Sequence, residues 1–491
     1  MPRLIVWEGE LSTSVDFEGT PVLSHVLVAH GFEQTSPCGG HGTCGKCAVK
    51  ATGAISTQNE TEKRFGTRLS CQIWLLGDCE VILPVKREMQ QIEVGGEVEA
   101  DEPHPMMGRL GAAIDIGTTT LAMRLYDLKM GKSKGIITAV NPQTVVSADV
   151  MGRIGAAVNG RLEQMRIMLQ DTLKNMLDEL CSLSGISSDA VDILVATGNT
   201  TMLYLLTGRN PQAFACAPFE ADCLFGEWIE LLGRRTFLPQ CIGAFVGADI
   251  TCAVLASGMC RQEETSLLID VGTNGEIALW HKGKLYVTST AAGPAFEGSG
   301  IHMGCGSVRG AIDKVWIDKD GICCRTIGNG PATGICGSGL IDAVAALLRA
   351  GKIDETGAMA EQRLYLKDGV CLIPKDIRNV QLAKGAIAAG IKTLLFEVGV
   401  ETSKIGSLYV AGGFGSHIDV YNAAAIGLIP RALAEKVKVI GNAALAGAGL
   451  LLLRDDFVQV CADLVQAATC INLGGSQLFT QHYMECMLFD E

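Results

Sequence analysis

At 491 residues the chain is too long for one hydrophobic core, and roughly two to four domains are expected. With 48% hydrophobic and 19% charged residues it is globular rather than disordered, and a formal net charge of −13 argues against nucleic acid or an anionic membrane surface as partner. Its 19 cysteines, mostly single within apolar segments such as those around Cys252, Cys260 and Cys461, and a start that reads as a strand rather than an export signal indicate a reducing, cytoplasmic setting. The longest apolar run, Ala443–Leu453, is broken by glycines and too short to span a bilayer.

Residues 1–84 form the first expected domain. Residues 4–7 and 12–17 alternate like a hairpin around Gly9-Glu10. Thr20-Pro21 opens a short helix with Val22, Leu23, Val26 and Leu27 on its apolar face and Gly31 at its end. Then comes Cys38-Gly39-Gly40-His41-Gly42-Thr43-Cys44-Gly45-Lys46-Cys47, with Cys71 further on. Four thiolates in this pattern suit a 2Fe–2S cluster. The glycines supply the close backbone approach that lets N–H groups point at sulfur. Zinc usually takes two close cysteine pairs, and only one is present. Cys38, Cys44, Cys47 and Cys71 are the expected metal ligands. Cys79, at the start of the apolar strand 79–83, is the rival for the fourth place. With a further strand at 48–50, the order resembles a β-grasp 2Fe–2S ferredoxin, although the interval from Cys47 to Cys71 is shorter than in plant ferredoxins.

Residues 85–110 are polar, acidic and punctuated by proline and glycine, which fits either a hinge or a plain spacer. A middle region (111–190) follows, then the main C-terminal region (191–491). The middle region opens with Asp115-Ile116-Gly117-Thr118-Thr119, nearly repeated 155 positions on as Asp270-Val271-Gly272-Thr273-Asn274. Each reads as strand, aspartate, tight turn, strand. Such a turn exposes successive N–H groups to phosphate oxygens, and an aspartate at the strand end holds Mg²⁺, usually through water. Phe245 to Asp249 opens a helix running to Gly258; Asp249 reads as the residue that orients an attacking water and as a helix cap, two roles that do not exclude each other. A strand enters the glycine-rich loop Gly412-Gly413-Phe414-Gly415, suited to adenosine, and Gly441-Asn442-Ala443 begins a helix of small residues able to pack backbone to backbone. Ser338, between Gly337 and Gly339, either offers its hydroxyl to a phosphate or caps the helix after it. Asp376 begins an amphipathic helix. The apolar positions between 161 and 180 are either core or the face of a homodimer. No histidines pair at metal-ligand spacing.

Turn, helix, turn, adenosine loop, helix is the order in actin, sugar kinases and heat-shock ATPases, and residues 111–491 resemble that superfamily. The resemblance implies two ribonuclease-H-like lobes with ATP and Mg²⁺ between them. Joined to a ferredoxin-like domain, and with Gly198-Asn199-Thr200-Thr201, the chain resembles the reductive activators of corrinoid proteins, the RACo type. That resemblance implies ATP-dependent, one-electron reduction of a partner's Co(II) to Co(I) in anaerobic methyl-transfer metabolism, with electrons entering from a ferredoxin, flavodoxin or reductase. A plant-type cluster lies near about −400 mV. A gap of ~200 mV to a stronger reductant opposes transfer by roughly 4–5 kcal/mol, which partner binding and the ATPase must offset. A redox-gated ATP-dependent kinase or another ATP-driven one-electron reductase is the rival reading; no sugar-binding insert is recognisable for the kinase.

Overall fold

A computed structural model describes residues 1–8, 11–32, 47–83, 98–100, 102–217, 219–319, 321–412 and 418–489. Cys38, Cys44, Gly413, Phe414 and Gly415 lie outside the described residues. The chain divides into two compact units, residues 1–90 with 142–156, and residues 91–141 with 157–491.

In the first unit, β1 (Arg3–Glu8) and β2 (Leu11–Asp16) form the expected hairpin, followed by α1 (Leu23–Ala29), β3 (Ala48–Ile55), α2 (Glu60–Phe65), β4 (Arg68–Leu69) and β5 (Leu75–Leu83). The mixed sheet runs β2-β1-β5-β3-β4, with β1 and β5 parallel. Its core includes Leu4, Val6, Leu23, Leu27, Ile73, Cys79 and Val81. Helix α1 starts two residues later than Pro21 suggests. Pro21 accepts a hydrogen bond from Leu75 N–H at 2.9 Å and Val22 bridges Trp74, so strand-like pairing holds both residues extended. Helix α3 (Val150–Ala156) also belongs to this unit.

The second unit contains the same sheet twice. β6 (Leu110–Ile116), β7 (Thr120–Asp127) and β8 (Lys132–Val140) form an antiparallel meander. After α4 (Leu162–Leu183), β9 (Ile193–Gly198) pairs parallel to β6. Beyond α5 (Thr200–Thr207) come β10 (Glu227–Leu231) and β11 (Arg234–Leu238), which extend the sheet, and α6 (Ala248–Ser257). The copy begins with β12 (Ser266–Val271), β13 (Gly275–His281) and β14 (Lys284–Thr290). Its lobe adds a small sheet of β15 (Ala311–Asp318), β16 (Gly321–Thr326) and β17 (Gly334–Ile335), then α7 (Gly337–Arg349), the pair β18 (Leu364–Tyr365) and β19 (Cys371–Leu372), and α8 (Pro374–Val398). Next, β20 (Ser407–Ala411) pairs parallel to β12, and after α9 (Val420–Ala425), β21 (Val437–Gly441) pairs parallel to β20. Finally come α10 (Ala443–Leu453), α11 (Asp456–Ala467), β22 (Ala468–Cys470) and α12 (Gln477–Glu485).

The order β8-β7-β6-β9-β11 in one sheet thus recurs as β14-β13-β12-β20-β21 in the other. Glycines mark equivalent points: a Cβ on Gly198 would lie 2.7 Å from the Ile116 carbonyl oxygen, and one on Gly412 would lie 2.5 Å from that of Val271. Helices α6 and α10 join the two sheets, and Gly447 lets their backbones touch.

Several open readings close here. Met165, Leu169, Leu173, Met176, Leu177 and Leu180 of α4 are buried core, whereas Ile167 on the same helix is exposed. The last part of the connector is pinned to the second unit: Ala100 N–H donates to Gly131 O at 3.1 Å, and His104 N–H to Leu453 O at 2.9 Å. The C-terminal segment docks on α8, where Lys384 is buried, donates to the Leu488 carbonyl and lies over the Phe489 ring. Among the described residues no helix is long and apolar enough to cross a membrane.

Candidate functional site

Both Asp-Gly-Thr turns form as their local chemistry requires. Gly117 N–H donates to Thr120 O at 3.1 Å and Gly272 N–H to Asn274 O at 3.0 Å, closing each turn between two antiparallel strands. A side chain at Gly117 would strike the Thr120 carbonyl at 2.5 Å. The turns face each other: Thr119 Oγ1 and Thr273 Oγ1 are 3.4 Å apart although 154 residues separate them.

The aspartates converge with them. Asp115 and Asp270 end the equivalent strands β6 and β12, and Asp249 lies in the first turn of α6. Burial pushes the Asp115 carboxyl up to about 6, with Asn442 holding it back. Burial and then the neighbouring Asp270 and Asp115 push Asp249 up to about 8. Burial, Asp115 and Glu297 push Asp270 up to about 7. Like charges enclosed together resist ionisation. Asp249 is not the cap of α6, because Gly247 is the N-cap; the Asp249 carboxylate accepts from Ile250 N–H at 2.8 Å within the first turn.

Three residues to which motif reading gave no role complete the site. Glu276, on β13 opposite Asp270, is 7% exposed, and burial, Asp249 and Asp270 raise its carboxyl well above the usual range. A glutamate inside the apolar strand Gly-Glu-Ile-Ala-Leu was the available signal. Asn199 and Asn442 each cap a helix, and each uses its other amide end in the site. Asn199 Oδ1 accepts from Met202 N–H at 3.0 Å, which turns Nδ2 to Thr118 Oγ1 at 3.1 Å. Asn442 Oδ1 accepts from Leu445 N–H at 2.8 Å, which turns Nδ2 to Asp115 Oδ2 at 2.8 Å. Ser338 behaves differently. It is buried in the first turn of α7, and its hydroxyl donates to Asp313 O at 3.2 Å.

No three His, Cys, Asp or Glu side chains among the described residues lie close enough to hold a metal directly. The carboxylates still fit Mg²⁺, which keeps most of its waters and is held by one or two carboxylates with substrate phosphates. Such a cation would relieve the mutual repulsion of Asp115, Asp249 and Asp270.

In the N-terminal unit, Cys47 and Cys71 are buried with their sulfurs 3.2 Å apart and no disulfide between them. Thiolates about 2.3 Å from one tetrahedral metal ion would be about 3.7 Å apart, so the pair fits a shared metal after a small adjustment. Cys79 packs in the core instead, where burial and Asp78 push its thiol up to about 11.

Two facing phosphate turns on duplicated sheets define an ATPase of the ASKHA class. Residues 264–491 match the family described as the C-terminal domain of RACo, the ASKHA domain, and residues 110–262 match the RACo middle region. The corrinoid activation enzyme RamQ of Eubacterium limosum is 34% identical over 421 residues, covering 78% of this chain and 70% of that protein. The [Co(II) methylated amine-specific corrinoid protein] reductase of Methanosarcina barkeri is 27% identical over 419 residues, covering 76% of each. A solved reductive activator for corrinoid, iron–sulfur protein superposes with a TM-score of 0.74 at 26% identity, covering 100% of this chain and 98% of that one. The chain belongs to the RACo family.

Proposed function

We propose that this chain is an ATP-hydrolysing reductase that returns the Co(II) form of a corrinoid protein to Co(I) in an anaerobic methyl-transfer system. The observation that carries the reading is the union, in one chain, of a crowded carboxylate site between facing phosphate turns with a buried pair of thiols. Cys38, Cys44, Cys47 and Cys71 would hold a 2Fe–2S cluster, which supplies a one-electron donor. The five-stranded sheet and the α1 helix across it support a ferredoxin-like domain at residues 1–84.

In the ATPase, the N–H groups and hydroxyls of Gly117, Thr118, Thr119, Gly272, Thr273 and Asn274 cradle the phosphates. Asp115 and Asp270 would hold Mg²⁺, which would supply charge neutralisation at the phosphates. Asp249, in the first turn of α6 and close enough to Asp270 and Asp115 to feel their charge, would orient the attacking water. Gly412, whose φ is +120°, leads into Gly413-Phe414-Gly415 for the adenosine. Hydrolysis resets or releases the strained complex with the corrinoid protein, and a ferredoxin, flavodoxin or reductase reloads the electron. The rigid carboxylate site belongs to the reset, not to the electron path, so Asp270→Ala is expected to bind the Co(II) partner yet fail at repeated reactivation.

The test mixes purified, reduced protein with a Co(II) corrinoid protein, with and without MgATP, and follows Co(I) by absorbance. Sustained Co(I) formation only with MgATP supports the proposal. Equal and repeated reduction without nucleotide, or a purified chain lacking iron, refutes it.

A further inference from the structure

One residue beyond Cys71, an amide is held against the thiol by a chain of fixed donors. Gln72 Nε2 lies 3.6 Å from Cys71 Sγ and 3.2 Å from the Cys71 carbonyl oxygen. Gln72 Oε1 lies 3.1 Å from Asn59 Nδ2. A single backbone group settles which way both amides point. Glu62 N–H can only donate, and it donates to Asn59 Oδ1 at 2.9 Å. Asn59 must therefore present Nδ2 to Gln72. Gln72 must accept there through Oε1, which leaves its Nε2–H groups facing the cysteine.

The frame behind this relay is rigid. The Glu62 carboxylate is fully buried and accepts from Asn59 N–H at 3.1 Å, Leu69 N–H at 3.0 Å and Arg68 Nε at 2.9 Å. Arg68 in turn donates to Ser56 O at 2.8 Å. The whole set joins α2, β4 and the Cys71 turn, and Asn59 and Glu62 form a reciprocal cap at the start of α2.

We propose that Gln72, oriented by Asn59, is a positioning residue that donates an N–H···S hydrogen bond to the cluster ligand Cys71 and raises the cluster's reduction potential. The inference rests on the cluster reading above. Reduction adds negative charge that the ligand sulfurs share, so a donor fixed at sulfur stabilises the reduced state more than the oxidised one. Because Asn59 and Glu62 hold the amide in place, little reorganisation is needed when the charge arrives. A higher potential eases loading from the upstream donor and steepens the step to cobalt, so Gln72 sets the balance between the two halves of the cycle.

The experiment uses the full chain, loaded with iron and sulfide under anaerobic conditions. Iron content and the visible spectrum are measured first, then the midpoint by a mediated titration followed by EPR. Gln72→Leu removes the donor at similar volume. Asn59→Ser keeps a good helix cap but removes the group that orients Gln72. We expect iron content and spectra like wild type. At a fixed applied potential, Gln72→Leu should shift the oxidised-to-reduced ratio toward oxidised by several-fold up to about tenfold, the latter equal to about 59 mV. Asn59→Ser should shift it the same way by less. Unchanged midpoints in iron-replete variants overturn the proposal and leave the cluster reading standing. If Gln72→Leu does not take up iron, the Asn59→Ser midpoint decides alone. Wild-type protein that takes up no iron overturns the cluster reading, and this inference with it.

Discussion

Replacing Gly447 by alanine tests how packing far from the nucleotide controls the site. Gly447 faces α6 from α10. A Cβ there would lie 2.1 Å from the Cys252 carbonyl oxygen, 2.5 Å from its carbon and 2.6 Å from Cys252 Cα. Favourable contacts between carbon atoms begin near 3.5 Å, so the helices must part by about 1 Å. All three obstructing atoms are backbone, and no side chain can swing aside. Alanine improves helix propensity by about 1 kcal/mol, whereas overpacking costs about 1–3 kcal/mol, so we expect a net loss of about 1 kcal/mol. The two helices also carry the site, since Asp249 is in the first turn of α6 and Asn442 caps α10 while holding Asp115. A displacement of about 1 Å costs on the order of 10²-fold in rate. The assay is urea unfolding together with MgATP hydrolysis. Gly155→Ala in α3 is the control, because nothing lies within 4 Å of its Cβ, and it should be neutral or stabilising by about 0.5–1 kcal/mol. Wild-type stability and ATPase activity in Gly447→Ala would refute the claim that this contact sets the helix separation.

Asp270→Asn should lower MgATP hydrolysis by about 10²–10³-fold. The nucleotide-free variant should nevertheless melt higher than wild type, because a mutually repelling carboxylate has been neutralised; calorimetry beside kinetics checks both. The pH dependence of the metal-free protein follows from the same groups. Asp115, Asp249 and Asp270 lie at about 6, 8 and 7 when folded, against 3.8 ordinarily. Between about pH 4 and about pH 8 the folded chain therefore holds protons that the unfolded chain has released, and their contribution to stability falls as pH rises. Thermal scans in EDTA should show that decline, and MgATP should flatten it; a rising profile in EDTA would contradict it. Lys384→Met keeps the buried stem but loses the donor to the Leu488 carbonyl. It should cost about 1–3 kcal/mol and expose the C-terminal segment to limited proteolysis.

Strands and turns whose geometry is settled within a few residues could be read directly. Asp115-Ile116-Gly117-Thr118-Thr119 and its copy announce themselves because a tight turn between two strands needs glycine and small hydroxyl residues wherever it occurs. The small-residue helix after Gly441 was legible for the same reason, since only small side chains permit close backbone contact. Partnerships across the chain were not legible. Asn442 reads only as the start of a small-residue helix until folding brings it to Asp115, 327 residues away. That the Ser338 hydroxyl reaches the Asp313 carbonyl is visible only in the fold. Cys79 stays a rival to Cys71 until the fold packs Cys79 into the sheet core and sets Cys71 beside Cys47. Local sequence determines backbone shape because its steric and hydrogen-bonding terms are short-ranged. Which charges crowd together, and which amide faces which sulfur, depends on how distant strands stack, and only the tertiary structure decides that.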